Sequence, residues 1–205
     1  MNGAIRMLIL VLGSIVASCG MSFAIRAGLG GAALAVLWQG LSLSYGITLG
    51  TAALLISSCF LLFNCFYDRS QIHIGTVIHQ IVYSWFLDVF NRIPIPSQSL
   101  AVNVVIMAIS LVVYAVGVGV YAVADVGRGP YEGFCFALHQ KKGWQIRNIR
   151  RISEGAIVGV GMLMGGQIGL CTIAALVING PVIQRTVNVT KPLVDRMVSV
   201  ASGVR

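Results

Sequence analysis

The chain has 205 residues, of which 57% are hydrophobic and only 10% charged, and its mean hydropathy is +0.89. A soluble domain carries about 25% charged residues, so too few polar groups are present here to cover a water-facing surface. The formal charge of +8 is distributed as an orientation signal along apolar spans, which argues against nucleic acid as a partner.

The first apolar run covers 7–25. Arg6, the run that follows and Val16-Ala17-Ser18-Cys19 imitate a secretory or lipoprotein signal. Cleavage there would leave 20–27 without a role, so the segment is read as a first helix. The stretch AIRAGLG (24–30) breaks it, and Leu34, Leu37, Trp38 and Leu41 then mark one helical face. That second helix spans about a dozen residues, too short to cross a ~30 Å hydrocarbon core.

Further spans follow at 46–66 and 74–91. The latter carries His79, Gln80, Tyr83, Ser84 and Asp88 over roughly half its circumference, an unusual load of polar groups for membrane depth. The run 101–124 ends on AVADVGRGP (122–130), 97 residues after the first break (127 − 30), and Tyr131, Phe134, Cys135 and Leu138 repeat the short helical face. Runs at 149–168 and 169–184 complete six spans. The tail 189–205 contains LVDRMVSV after Pro192, a short amphipathic helix for the membrane surface. Five cysteines without CxxC spacing, four of them inside spans, read as packing.

Two repeats are thereby predicted, at about 5–92 and about 101–188. Ala27/Ala124, Gly30/Gly127, Leu41/Leu138 and Gly46/Gly143 match between them, as do the small residues Gly20/Gly117 and Ser22/Gly119, suited to close helix packing. With three spans each, the second repeat starts from the opposite side of the membrane. The charges agree. Of 14 Lys and Arg, only Arg26 and Arg92 fall on one side, which places both termini in the cytoplasm of a bacterial inner-membrane protein.

The segments ADVGRGPYE (124–132), AGLGGAALA (27–35), VLWQGLS (36–42), IGT (74–76) with Asp88, and CTIAALVINGP (171–181) carry a resemblance. The chain resembles the YczE/YitT-type family of bacterial integral membrane proteins, whose repeats show a pattern like A-x-L-G-x-G-P-x-D before a short helix. Glu132 stands at the acidic position of the second copy. The first copy departs, with Ala32, Ala33 and Ala35 in place of glycine, proline and acid. The resemblance implies a fold more than an activity.

The expected fold is therefore all-α: one polytopic membrane domain over 1–205, with six transmembrane helices as two inverted three-helix repeats, each carrying a short broken helix after its first span. Inverted repeats with broken helices point to a transporter site near the midplane. The expected breaks are Gly28, Gly30, Gly31, Gly127, Gly129 and Pro130. The solute-binding candidates are Gln39, His79, Tyr83, Asp88, Asp125, Glu132 and Asn179, with a polar seam between the third and sixth spans. Plainer readings stand beside these. Pro130 and Glu132 suit a helix start, Tyr83, Ser84 and Asn179 suit interhelical hydrogen bonds, and His79 suits a packed core. Asp88 can pair with Arg92 at i+4, and Arg150 with Glu154. Arg147, Arg150 and Arg151 suit headgroup anchoring or an anionic solute, and Arg26 and Arg128 a neutralising or snorkelling role.

No HExxH, GxSxG or Walker pattern occurs, so no enzymatic activity, catalytic residue, metal or cofactor is expected. The expected partners are membrane lipid, an unknown small solute, and a second copy or another membrane protein. A small-solute transporter or facilitator working by alternating access is the leading expectation. Its rival is an accessory or scaffold subunit of a membrane-bound biosynthetic or export complex, docking through 139–151.

Overall fold

The computed structural model describes residues 2–94 and 99–201. These residues form eight α-helices: α1 (Asn2–Arg26), α2 (Ala33–Tyr45), α3 (Leu49–Tyr67), α4 (Ile74–Asn91), α5 (Leu100–Val123), α6 (Pro130–Lys142), α7 (Ile146–Leu163) and α8 (Leu170–Ala201). A 3₁₀ turn at Arg69–Gln71 precedes α4. The chain is all-α, as expected.

The halves match in detail. Both short helices, α2 and α6, have 13 residues, and both their bounds lie 97 apart (130 − 33 and 142 − 45). Local chemistry sets those bounds. Gly46 and Gly143 take left-handed φ values of 65° and 69° and end the two helices, the conformation that only glycine adopts without penalty at a helix C-terminus. Pro130 starts α6 at its first position, where a missing N–H costs nothing.

Of the six expected spans, four helices are long and apolar enough to cross: Gly3–Arg26, Leu49–Tyr67, Leu100–Val123 and Leu170–Ser199. α4 and α7 have 18 residues each but are interrupted by polar groups. In α4 these are His79, Gln80, Ser84 and Asp88, and in α7 they are Arg147, Arg150, Arg151 and Glu154. The segment read as a surface tail is helical over 189–201 and continuous with α8. α8 continues through Pro181 and Pro192 to Ala201, crossing the boundary drawn at 188, and at about 1.5 Å per residue it outruns the core thickness. Burial of Val194 and an ion pair from Arg6 to Asp195 at 3.9 Å tie its far end to the bundle.

α1 and α5 form the centre. A Cβ built on Gly13 would meet the backbone of Tyr121, one on Gly117 that of Ala17, and one on Gly20 that of Tyr114. As numbers rise along α1 they fall along α5, so the two helices run antiparallel. Where lipid is as apolar as the side chains, such close backbone approach is what makes helices associate. Within each half the last helix packs on the first, α4 on α1 and α8 on α5, while the middle helices are exchanged between halves, α2 on α7 and α6 on α3.

Each break is held by the other half. The amide of Cys171, in the first turn of α8, donates to the Leu29 carbonyl at 2.8 Å, and Thr172 Oγ1 donates to the Gly31 carbonyl at 2.7 Å. In the second break the amide of Gly75, in the first turn of α4, donates to the Val126 carbonyl at 3.2 Å. Helix N-termini have orphan N–H groups and breaks have orphan carbonyls. Buried away from water, each unpaired group would cost several kcal/mol. Gly30 (φ 91°) and Gly127 (φ 153°) allow the approach, because a Cβ would strike Gly169 at the first and Thr76 at the second.

Two stability predictions follow from these contacts. Gly28 (φ 71°) has open space around its Cβ position, so Gly28→Ala is expected to cost only the ~1–2 kcal/mol of a left-handed alanine. Gly30→Ala adds a backbone collision, expected at a further ~1–3 kcal/mol. Unfolding of both variants in mixed micelles compares them directly, and equal losses would contradict the contact. By the same measurement, Gly20→Ala is expected to lose ~1–3 kcal/mol, whereas Gly155→Ala, with nothing near its Cβ, changes stability by under ~0.5 kcal/mol.

Candidate functional site

Two cavities approach each other inside the bundle. The first, of about 500 Å³, opens where α6 meets the 3₁₀ turn and is lined by polar groups including Gln71, His73, Asp125, Arg128 and Glu132. Its wall is a linked set of side chains. Arg128 Nη1 donates to Gln71 Oε1 at 3.1 Å, and its guanidinium lies 3.9 Å from the Phe136 ring centre. Gln71 Nε2 donates to Asp68 Oδ2 at 3.1 Å and to Gln140 Oε1 at 3.0 Å. The Ser70 hydroxyl bonded to Asp68 at 2.7 Å, followed by Gln71, holds the Asp68 carboxyl below its ordinary range.

The second, of about 760 Å³, is a cleft between α7 and α8 floored by α1, α2 and α5. Its walls are largely apolar, with Leu34, Val158 and Leu176 among them. Arg147, Arg150, Arg151 and Glu154 line the end where α7 begins, and Arg150 Nε reaches Glu154 Oε1 at 3.3 Å, the expected i,i+4 pair. Trp38 and Asn179 also stand in the wall, and the Trp38 indole N–H and Asn179 Oδ1 have no partner among the described residues. Buried polar groups are nearly always hydrogen-bonded, so unpaired ones lining a cavity mark a place for a ligand or water.

Glu132 belongs to the walls of both cavities. It sits in the first turn of α6, where the helix N-terminus favours a carboxylate. Gly129 makes room for it: a side chain there would collide with Glu132 Oε2, with Tyr121 Oη also 3.3 Å from that position. Among the described residues Glu132 makes no hydrogen bond or ion pair, and Arg150, Tyr114 and Tyr121 are its electrostatic neighbours. Beside it a ladder of rings runs from the cleft to the first cavity. Trp38 and Tyr83 are 5.9 Å apart between centroids, Tyr83 and His79 5.7 Å, and His79 stacks on Tyr121 at 4.1 Å.

The sequence candidates are thus divided. His79 and Tyr83 lie in the ladder, His79 also 2.7 Å from the Ser14 hydroxyl, and the Tyr83 hydroxyl has no protein partner. Asn179 lines the cleft, Asp125 the first cavity and Glu132 both. The expected seam between the third and sixth spans does not form, because α4 packs on α1 and α8 on α5. Gln39 accepts from the Gln167 amide at 3.1 Å and steadies the α7–α8 turn. Asp88 does not pair with Arg92. It accepts from the Gly50 amide and the Thr48 hydroxyl, each at 2.6 Å, and caps α3. Among the breaks, Gly30, Gly31 and Gly127 serve the interlocking contacts, Gly129 is the N-cap of α6, and the Pro130 carbonyl accepts from Asn64 Nδ2 at 3.0 Å. Asp125 holds a left-handed φ of 51° at the place where the first half has Gly28. Arg26 donates to the Ile93 carbonyl.

Sequence reading missed Trp38, Tyr114 and Tyr121 as site residues. A signal existed: Tyr114 and Tyr121 stand at i and i+7 on one face of an otherwise apolar span. Arg147, Arg150 and Arg151, read as headgroup anchors or as suited to an anionic solute, are exposed and also line the cleft.

One of the similar proteins is named as a membrane protein. The chain is 25% identical over 140 residues to the uncharacterized membrane protein YczE of Bacillus subtilis, covering 68% of this chain and 65% of that protein, just under two thirds of its length. It is 26% identical over 165 residues to an uncharacterized protein of Haemophilus influenzae, covering 80% and 75%. No solved structure matches. Residues 4–188 match the family described as "Family of unknown function (DUF6198)", and this membrane protein, YczE-like in sequence, belongs to that family.

Proposed function

We infer that the protein is a small-solute transporter or facilitator of the bacterial inner membrane, built as two inverted three-crossing units and working by alternating access. The observation that carries this reading is a pair of separate cavities sharing one unpaired carboxylate, Glu132, and divided by the Trp38–Tyr83–His79–Tyr121 ladder. A site that faces two compartments in turn needs such an arrangement: a binding group reachable from either side and a thin barrier that re-forms on the other side.

The antiparallel α1–α5 pair and the exchanged contacts of the halves support inversion. In this scheme one half rocks on the other about the small-residue α1–α5 contact. Glu132, Trp38 and Asn179 hold the solute, and the ladder closes behind it. In this scheme both termini, the first cavity and the Arg147–Arg151 end of the cleft lie on the cytoplasmic side, the side an excess of Lys and Arg favours.

Topology and transport test the reading separately. Tyr45 is 70% exposed and Trp144 55% exposed, so single cysteines at these two places report the faces of α2 and α6. They are expected to label from opposite sides of the cell membrane, and labelling from one side would end the inverted scheme. For transport, thermal-shift screening of the purified protein against metabolite pools identifies a stabilising solute, since a ligand at 100 times its Kd adds about 2.7 kcal/mol. Uptake of that solute into proteoliposomes is expected to fall at least ~10-fold in Glu132→Gln, a loss of about 1.4 kcal/mol, with unchanged folding. Normal uptake by this variant would remove Glu132 from the path.

A further inference from the structure

The two halves differ at one interface. In the first, α4 packs along α3, and in the second no comparable packing joins α8 to α7. The 97-residue offset explains why. Gly50, Ala53 and Ser57 of α3 correspond to Arg147, Arg150 and Glu154 of α7. Small residues let α4 approach: Gln80 Nε2 donates to the Ala53 carbonyl at 3.4 Å, and a Cβ at Gly50 would strike the Ser84 carbonyl. Long charged side chains at the same places on α7 hold α8 away. The opposite wall, with Thr172, Ala175, Leu176, Asn179, Gly180 and Ile183, stands 96 residues after the Thr76, His79, Gln80, Tyr83, Ser84 and Leu87 face of α4. The cleft is therefore the opened counterpart of a closed helix pair.

Its dimensions and charge identify an occupant. From Arg147 to Val158 the α7 wall rises eleven residues, about 16 Å at 1.5 Å per residue, or roughly half the ~30 Å hydrocarbon core. That is the depth of one leaflet. The walls over this depth are largely apolar, with Glu132 and Asn179 among them, and many residues of α7 and α8 beside the opening are exposed. At the mouth, Glu154 is engaged by Arg150, which leaves Arg147 and Arg151, both exposed, without an acidic partner among the described residues. Guanidinium groups match phosphate by shape and charge.

We propose that the α7–α8 cleft binds an anionic phospholipid drawn sideways from the adjoining leaflet, its phosphate on Arg147 and Arg151 and one acyl chain beside Trp38. This names the class of molecule the cleft takes; it rests on the reading of the cleft as a ligand site, and not on transport.

Trp38 is a built-in reporter. With Trp85→Phe and Trp144→Phe it is the only tryptophan of the three. Such a protein is reconstituted in vesicles containing phosphatidylglycerol or phosphatidylcholine brominated on the acyl chains, whose bromines quench indole on contact. The expected result is quenching several-fold stronger with brominated phosphatidylglycerol. Arg147→Gln with Arg151→Gln should abolish the headgroup preference. Gly155→Phe with Gly180→Phe should abolish quenching itself; both glycines line the cleft and have open space at Cβ, so the pair fills it without disturbing packing, which an unchanged melting temperature confirms. Trp38 left unquenched, quenched equally by both lipids, or still quenched when the cleft is filled would overturn the proposal. So would a dimer in the parent that the filled variant loses, since a second copy would then be the occupant. Loss of solute uptake in Glu132→Gln with unchanged lipid quenching, or the reverse, separates failure of this proposal from failure of the transport reading.

Discussion

Lipid offers no hydrogen-bond partner, so every backbone group released where a helix is interrupted must find one inside the protein. The fold turns on how this chain meets that requirement. At the first break the Leu29 and Gly31 carbonyls are taken by the start of α8, and at the second the Val126 carbonyl is taken by the start of α4 and the Ala124 carbonyl by Arg6 of α1. Neither half can satisfy its own break. Each supplies the helix N-terminus that the other needs, and the glycines at 30 and 127 are the places where two backbones must come closer than any side chain permits. The interruptions are therefore structural joints first. What they add to function is position, since they set α2 and α6 against the opposite half and bring Glu132 to the middle.

Matching halves alone would make a closed bundle. The departure from the match is what creates usable space. Asp88 caps α3 and helps seal it to α4, and small residues on α3 complete the seal. The second half has Gln184 at the place of Asp88 and charged residues at the places of Gly50, Ala53 and Ser57, and a cleft results. The Arg150–Glu154 pair is half-exposed, and a pair so placed adds little stability. It stands at the charged end of an otherwise largely apolar cleft.

The ring ladder and Glu132 form the barrier between cleft and cavity. Aromatic side chains fill space with little rotamer freedom, and the four rings pack as one continuous row between α2, α4 and α5. His79 illustrates the economy of the arrangement: it is at once a rung of the ladder, a partner of Ser14 and a contact between α1, α4 and α5.

Membrane character, the two matched halves, the short helices and their glycine ends were all legible in the residues, because hydropathy, helical period and left-handed glycine are local properties of the chain. So was the Arg150–Glu154 pair, four residues apart on one helix. The partner of each break was not legible, nor was the true neighbour of Asp88, nor the separation of α4 from α8, which split the expected polar seam. Those depend on which helices lie beside one another, and in a bundle where every candidate surface is apolar the pattern of polar and apolar residues does not choose between neighbours. Only the close approach of glycine backbones, fixed in three dimensions, makes that choice.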